Sequence, residues 1–256
     1  MGSAVVAAML DQKIYSVNDL TIVEKYQNSF TEKLKAQGVK ILSSISDLSG
    51  DVGIVVLAVK PQDSAQMLKD LAPKTSEKTL VISIMAGITL KVLETGLKQA
   101  QVIRCMPNIP CVVNFGMSVY CGNSRVSAES FEVAQLILAA MGRAFQVDDE
   151  IMIDAATAIS GSGPAYVFYL AEALKEGARK LGFDETQADM LATQTLLGSA
   201  VLLDKSDDGP AELRRKVTSP GGTTAAALKV YEDGELKETL IKGFDAAFKR
   251  SIELGK

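Results

Sequence analysis

Residues 54–62 read Ile54-Val55-Val56-Leu57-Ala58-Val59-Lys60-Pro61-Gln62, and the fold turns on how that stretch can be buried. From Ile54 to Val59 the residues are apolar at even and odd positions alike, and mostly β-branched. As a strand, the run offers apolar side chains to both faces of a sheet, the pattern of a parallel sheet covered by helices on both sides. Lys60 and Pro61 close it, which puts a lysine at the carboxyl edge, where open α/β sheets bind ligands. A solvated lysine at a strand end is the competing reading. Further along, Leu80 to Ile84 and Val102 to Met106 repeat the pattern, and Met117 to Cys121 and Ala144 to Val147 are weaker versions of it. Between them, Asp63 to Leu71 sets Ala65, Leu68 and Leu71 near one helical face. Strand, helix, strand at this spacing predicts right-handed crossovers and a doubly wound α/β sheet.

From about Asp154 the strand rhythm stops. Pro164 sits where a helix accepts proline, the run Ala165 to Leu181 follows, and Gly182 is a natural stop. Asp184 with Gln187 three residues on has the form of a capping box for a helix through Leu203. Gly209-Pro210 opens a short helix, Ala211 to Val217. In the last helix Leu236, Leu240, Phe244, Phe248 and Ile252 recur every four residues. This half is rich in Ala, Gly and Leu on more faces than a lone surface helix needs, which points to packing against a second subunit. The reading gives two domains, a sheet domain over 1–152 and a helical domain over 153–256.

Composition narrows the chemistry. The 256 residues carry a net charge of −4, which argues against a partner that is nucleic acid or an acidic membrane. No run is apolar for long enough to span a bilayer, and no secretory leader is expected at the start. Cys105, Cys111 and Cys121 form no C-x-x-C pair and the chain has no histidine, so no metal is expected and the thiols read as reduced, cytoplasmic and mostly buried. Without histidine, catalysis must rest on hydroxyls, backbone amides, lysines, carboxylates or a borrowed cofactor.

Four stretches carry the candidate chemistry. Val217-Thr218-Ser219-Pro220-Gly221-Gly222-Thr223-Thr224 is a turn opening into an alanine-rich helix. Free amides at such a helix start suit a small carboxylate, and the two threonines add hydroxyls. The competing reading is a capped helix, with Thr223 or Thr224 as the cap. The others are Leu57 to Gln62, Ser160-Gly161-Ser162-Gly163-Pro164-Ala165-Tyr166, and Arg104-Cys105-Met106-Pro107-Asn108-Ile109-Pro110. The Ser-Gly pairs read as structural, allowing close packing. Arg104, inside an apolar strand, reads as paired rather than catalytic.

Together, in this order and spacing, the motifs AVKPQ, RCMPNIP, SGSGPAY and VTSPGGTT resemble the pyrroline-5-carboxylate reductase family, and the resemblance runs from residue 1 to about residue 254. It implies a Rossmann-like dinucleotide-binding domain followed by an all-α dimerisation domain. The chain would form a homodimer through the helical domain, and larger rings of dimers. The implied reaction is hydride transfer from NADPH or NADH to a cyclic imine bearing a carboxylate, the last step of proline biosynthesis. By the same carry-over Thr224 hydrogen-bonds the ring nitrogen, and Ser219, Gly221, Gly222 and Thr223 hold the carboxylate, with Asp207 as an acid nearby. Ala58, Val59, Lys60 and Pro61 line the cofactor, together with Ala86 and Gly87. Gly2 matches by position the third glycine of the family's G-x-G-x-x-G, so the first strand and the two earlier glycines have no counterpart. A sheet lacking that central strand is expected to hold a dinucleotide weakly and to leave the chain poorly active. Glu24 lies where an acid takes the ribose hydroxyls of NAD, and Lys25 where a cation meets the extra phosphate of NADP. Ile45 and Lys216 stand where relatives often have asparagine. Two other readings remain beside this one: a different small-substrate NAD(P)-dependent reductase, and an inactive oligomerising subunit.

Overall fold

The computed structural model describes residues 1–26, 28–50 and 52–255. The chain divides into two compact units, residues 1–162 with 247–256, and residues 163–246.

Unit 1 runs through helix Gly2–Asp11 (α1), strand Thr21–Val23 (β1), helix Ser29–Ala36 (α2), strand Lys40–Leu42 (β2), strand Ile54–Leu57 (β3), helix Ser64–Leu71 (α3), strand Leu80–Ser83 (β4) and helix Leu90–Gly96 (α4). It continues through strand Gln101–Met106 (β5), strand Gly116–Gly122 (β6), helix Ala128–Ala139 (α5), strand Gly142–Gln146 (β7) and helix Ile151–Ala156 (α6), which passes into a π-helical turn, Thr157–Gly161. β3 to β7 form one sheet in sequence order, and β1 pairs with β2 in parallel as a separate ribbon.

The period-two pattern of the strands becomes two cores. Leu80, Ile82, Ile103 and Cys105 face one cluster with Ala4, Val5 and Ala8 of α1 and Ile137 and Leu138 of α5. Val81 and Val102 face the other, with Leu68 and Leu71 of α3 and Leu93 of α4. Helices therefore cover both faces, as continuous apolar strands require. Every residue of β4 is buried.

Two expectations are corrected. β3 is not buried on both faces: Ile54 is 36% exposed, because among the described residues β3 has a hydrogen-bonded ladder on one side only, with β4. The sheet is also not wholly parallel. β5 and β6 run antiparallel, because their connection, residues 107–115, is shorter than the roughly dozen residues a parallel crossover needs.

Unit 2 is helical: Gly163–Lys180 (α7), Glu185–Lys205 (α8), Pro210–Lys216 (α9), Thr223–Asp233 (α10) and Leu236–Leu254 (α11), the last continuing into unit 1. Gly182 (φ +103°) ends α7, and Asp184 caps α8 reciprocally, accepting from the Gln187 amide at 2.8 Å and donating its own amide to Gln187 at 3.2 Å. The Tyr166 and Phe244 rings lie 5.3 Å apart. Yet among the described residues only Ala188 and Ala192 of this unit are buried, while Phe168, Tyr169, Leu170, Leu197, Val201 and Leu240 are exposed. A helical unit with almost no interior needs another surface to cover it.

Candidate functional site

The loop ahead of α10 follows from its residues. The Gly222 amide donates to the Ser219 carbonyl at 3.0 Å, with Pro220 and Gly221 between them and Gly221 at φ +71°. Proline then glycine at the two central positions is the sequence of a type II turn, and only glycine takes that positive φ without strain. Thr218 secures the start of the loop, its hydroxyl donating to the Arg214 carbonyl at 2.6 Å. Gly222 caps α10, and no side chain bonds the helix start. Neither Thr223 nor Thr224 serves as the cap. The amides of both lack an acceptor among the described residues, and their hydroxyls lack a partner there. The result is a positive helix end with uncommitted donors. Glycine at 222 leaves the Ser219 hydroxyl where it is, since a Cβ there would overlap that hydroxyl and push it aside.

Around the loop the charges are mostly committed. Arg215 pairs with Glu212 at 2.5 Å and holds that carboxyl below its usual range. Lys216 pairs with Asp208, whose amide is held by the Ser206 hydroxyl at 3.1 Å. Asp207, the acid singled out from sequence, is exposed beside this pair. The sequence reading missed the Asp208–Lys216 pair. Its signal was an acid just before the short helix α9 and a base at its last residue, each at the end of the helix dipole that favours its charge.

At the carboxyl edge of the sheet, α1 begins against the end of β3: a Cβ on Gly2 would lie 2.9 Å from the Ala58 Cβ. The helix start carries no side-chain cap, and the Gly2 and Ser3 amides have no acceptor among the described residues. The close approach packs α1 on the end of the strand, and the open helix start suits a pyrophosphate. Ala58, Val59, Lys60 and Pro61 are exposed beyond β3. Beyond β1, the Glu24 carboxylate accepts the Tyr26 amide at 3.2 Å, and the Lys25 ammonium lies 5.2 Å from the Tyr26 ring centre. Beyond β4, Ala86 is exposed, while Gly87 (φ +73°) packs against the C-terminal turn of α11, where a Cβ would lie 3.0 Å from the Leu254 carbonyl oxygen.

The remaining motifs are structural in part. Arg104 is paired, as expected, with Glu150 and Asp154. Gly161 permits close packing, since a Cβ there would lie 2.8 Å from the Met106 Cε, whereas Gly163 faces open space. The π-helical turn and its tie, Asn108 Nδ2 donating to the Ser160 carbonyl at 3.0 Å, were not foreseen. No thiol is available as a nucleophile. Burial pushes Cys121 up to about 12 and raises Cys105 and Cys111 as well. No helix among the described residues is long and apolar enough to cross a membrane.

Comparison with known proteins adds relatives to this geometry. Residues 150–254 match a family model described as pyrroline-5-carboxylate reductase dimerisation, and residues 1–87 match one described as NADP oxidoreductase, coenzyme F420-dependent. A pyrroline-5-carboxylate reductase of Synechocystis is 36% identical over 256 residues, covering 100% of this chain and 95% of the relative. That of Pseudomonas aeruginosa is 42% identical over 219 residues, covering 85% and 80%. Among solved structures, a pyrroline-5-carboxylate reductase from Coxiella burnetii superposes with a TM-score of 0.91 at 33% identity, covering 99% of this chain and 94% of that one. A pyrroline carboxylate reductase from Plasmodium falciparum, solved with NADP bound, gives 0.88 at 30% identity, covering 100% and 95%.

Proposed function

Because the chain belongs to the pyrroline-5-carboxylate reductase family, we propose that it reduces 1-pyrroline-5-carboxylate to L-proline: a hydride joins the imine carbon, and the ring nitrogen keeps a proton. NADPH or NADH supplies the hydride when bound. The residues fit such a cofactor, with the open start of α1 at Gly2 and Ser3 suited to its pyrophosphate. Ala58 to Pro61 and Ala86-Gly87 line its course, and Glu24 or Lys25 meets the adenosine ribose or its phosphate.

The substrate end rests on one observation, the uncapped start of α10 behind the Ser219–Gly222 turn. The substrate carboxylate takes the amide of Thr223 and the hydroxyl of Ser219, with Gly221 and Gly222 shaping the turn whose closing bond occupies the Gly222 amide. Thr224 orients the ring nitrogen through its hydroxyl, and Asp207 supplies negative charge close by that favours the protonated, more electrophilic imine. No histidine is needed, because a protonated imine already accepts hydride and orientation supplies most of the acceleration. The division of labour is a dinucleotide domain over 1–152 and a helical substrate and dimerisation domain over 153–256. The exposed apolar helices of the latter join two chains in a homodimer, and dimers in a ring, in the cytoplasm.

The test is turnover by the purified chain, read as consumption of NADPH with 1-pyrroline-5-carboxylate. Thr224→Val should lower kcat by about 100-fold, the lower range for a positioned proton-handling group, while Thr224→Ser retains activity and NADPH affinity is unchanged in both. Thr224→Val turning over at the wild-type rate would remove Thr224 from the chemistry.

A further inference from the structure

Two stretches of backbone join the units, one across residues 162–163 and one inside α11 across 246–247. Both are fastened, on the unit 1 side, to one guanidinium. Arg104 of β5 is 3% exposed, and its Nη2 donates to Asp154 Oδ1 at 3.0 Å. Asp154 lies in α6, which continues through the π-helical turn to the first crossing. The same Oδ1 accepts the Ser251 hydroxyl at 2.8 Å, and Ser251 lies in the last turns of α11, just beyond the second crossing. Arg104 Nη1 donates to Glu150 Oε1 at 2.7 Å, and that oxygen also takes the Leu90 amide at 2.8 Å, tying the start of α4 to the same centre.

An arginine in a strand of buried apolar residues demands a reason, because desolvating the guanidinium and the Asp154 carboxylate offsets much of their attraction, and an apolar side chain of similar volume often serves stability as well. What an apolar residue cannot do is fix direction at several partners at once. Here the partners are the segments that lead into and out of the unit carrying Ser219 to Thr224. The π-helical turn between Asp154 and the first crossing is independently held by Asn108, and π-turns recur at functional sites.

We propose that Arg104 is a positioning residue for hydride transfer: through Asp154 and Ser251 it anchors both connections to the substrate-binding unit. The inference rests on the reductase reading, since it concerns how the dinucleotide and imine ends are brought to reacting geometry, whether within one chain or between two.

The test uses the full chain and three variants. Ser251→Ala loosens the α11 connection and leaves both ion pairs. Arg104→Lys keeps a cation but loses the fork that reaches two carboxylates. Thr79→Val is the control, since it removes the hydroxyl that donates to the Val52 carbonyl and accepts the Ser76 amide, before the end of β4 opposite the Ser83–Arg104 pair. Ser251→Ala and Arg104→Lys should lower kcat by about 10-fold or more, as small misplacements do, while the KM for the imine and the NADPH dissociation constant stay within about twofold. Amide exchange should speed up in residues 157–163 and 244–252 in those two variants. Thr79→Val should reduce thermal stability with kcat retained. Unchanged kcat in both anchor variants, or an equal loss in Thr79→Val, overturns the proposal. If the wild-type chain shows no turnover, the reductase reading fails, and exchange alone judges the anchor; unaltered exchange at both segments then overturns it.

Discussion

Gly222→Ala tests the geometry of the substrate loop. The backbone at 222 (φ −80°, ψ 174°) is open to any residue, so the substitution introduces no torsional strain. The only obstacle is Ser219. The new Cβ would overlap its hydroxyl and stand 3.2 Å from its carbonyl oxygen and 3.7 Å from its Cβ. The last is ordinary contact, the second needs a shift of a few tenths of an ångström, and the first forces Ser219 Oγ to move. If that hydroxyl binds the substrate carboxylate, Gly222→Ala loses a charge-assisted hydrogen bond of about 1.5–3 kcal/mol, or roughly 10–100-fold in kcat/KM. Ser219→Ala should lose about the same. The decisive measurement is the double variant. With the hydroxyl gone, the one severe overlap is removed and only the 3.2 Å approach to the carbonyl oxygen remains, so Ser219→Ala/Gly222→Ala should be at most slightly worse than Ser219→Ala alone. Steady-state kinetics on the four proteins gives the coupling directly. Additive losses would refute the reasoning, because they would mean that the methyl group at position 222 does its damage somewhere other than at Ser219.

Gly87→Ala places a side chain at φ +73° and 3.0 Å from the Leu254 carbonyl oxygen; left-handed strain and crowding should together cost about 2 kcal/mol, read as a lower denaturant midpoint, with an unchanged midpoint contradicting it. Native Cys105, Cys111 and Cys121 should resist a thiol reagent at neutral pH that titrates all three in denaturant, and fast labelling of the native protein would contradict their burial. The same thiols make stability fall with alkali. The unfolded chain loses their protons above about 8.5, whereas Cys121 in the fold keeps its proton up to about 12, so between those values the unfolded state binds fewer protons and is favoured as pH rises. Full stability should hold below about 8.5, and Cys121→Ser should flatten the alkaline decline.

Much of the fold is legible in the residues because burial repeats at short range. The parity of β4 and β5 assigns Val81 and Val102 to one face and Ile82 and Ile103 to the other, as the two cores record. Gly182 and the Asp184–Gln187 box end and start helices through purely local bonds. The site was legible where a turn dictates it, as at Pro220-Gly221. What could not be read is what depends on partners distant in sequence. Ile54 looks as apolar as Val81, and nothing in the run itself says that its outer edge lacks a neighbour. The partners of Arg104 lie 46, 50 and, through Asp154, a further 97 residues away. The antiparallel β6 was within reach of counting, since the loop before it is too short for a crossover. The π-helical turn leaves no comparable mark, because the bond that ties it, from Asn108 to the Ser160 carbonyl, spans 52 residues.

The scarcity of interior in residues 163–246, where two alanines are the only buried side chains among those described, gives the folding equilibrium a dependence on protein concentration. If most of that half's apolar surface is desolvated only on association, the melting temperature has no single value for the chain. Each tenfold dilution then lowers the stability of the assembled state by about 1.4 kcal/mol per association step. Dilution alone should dissolve the helical half first, and substitutions that look harmless on its surface should behave as core defects.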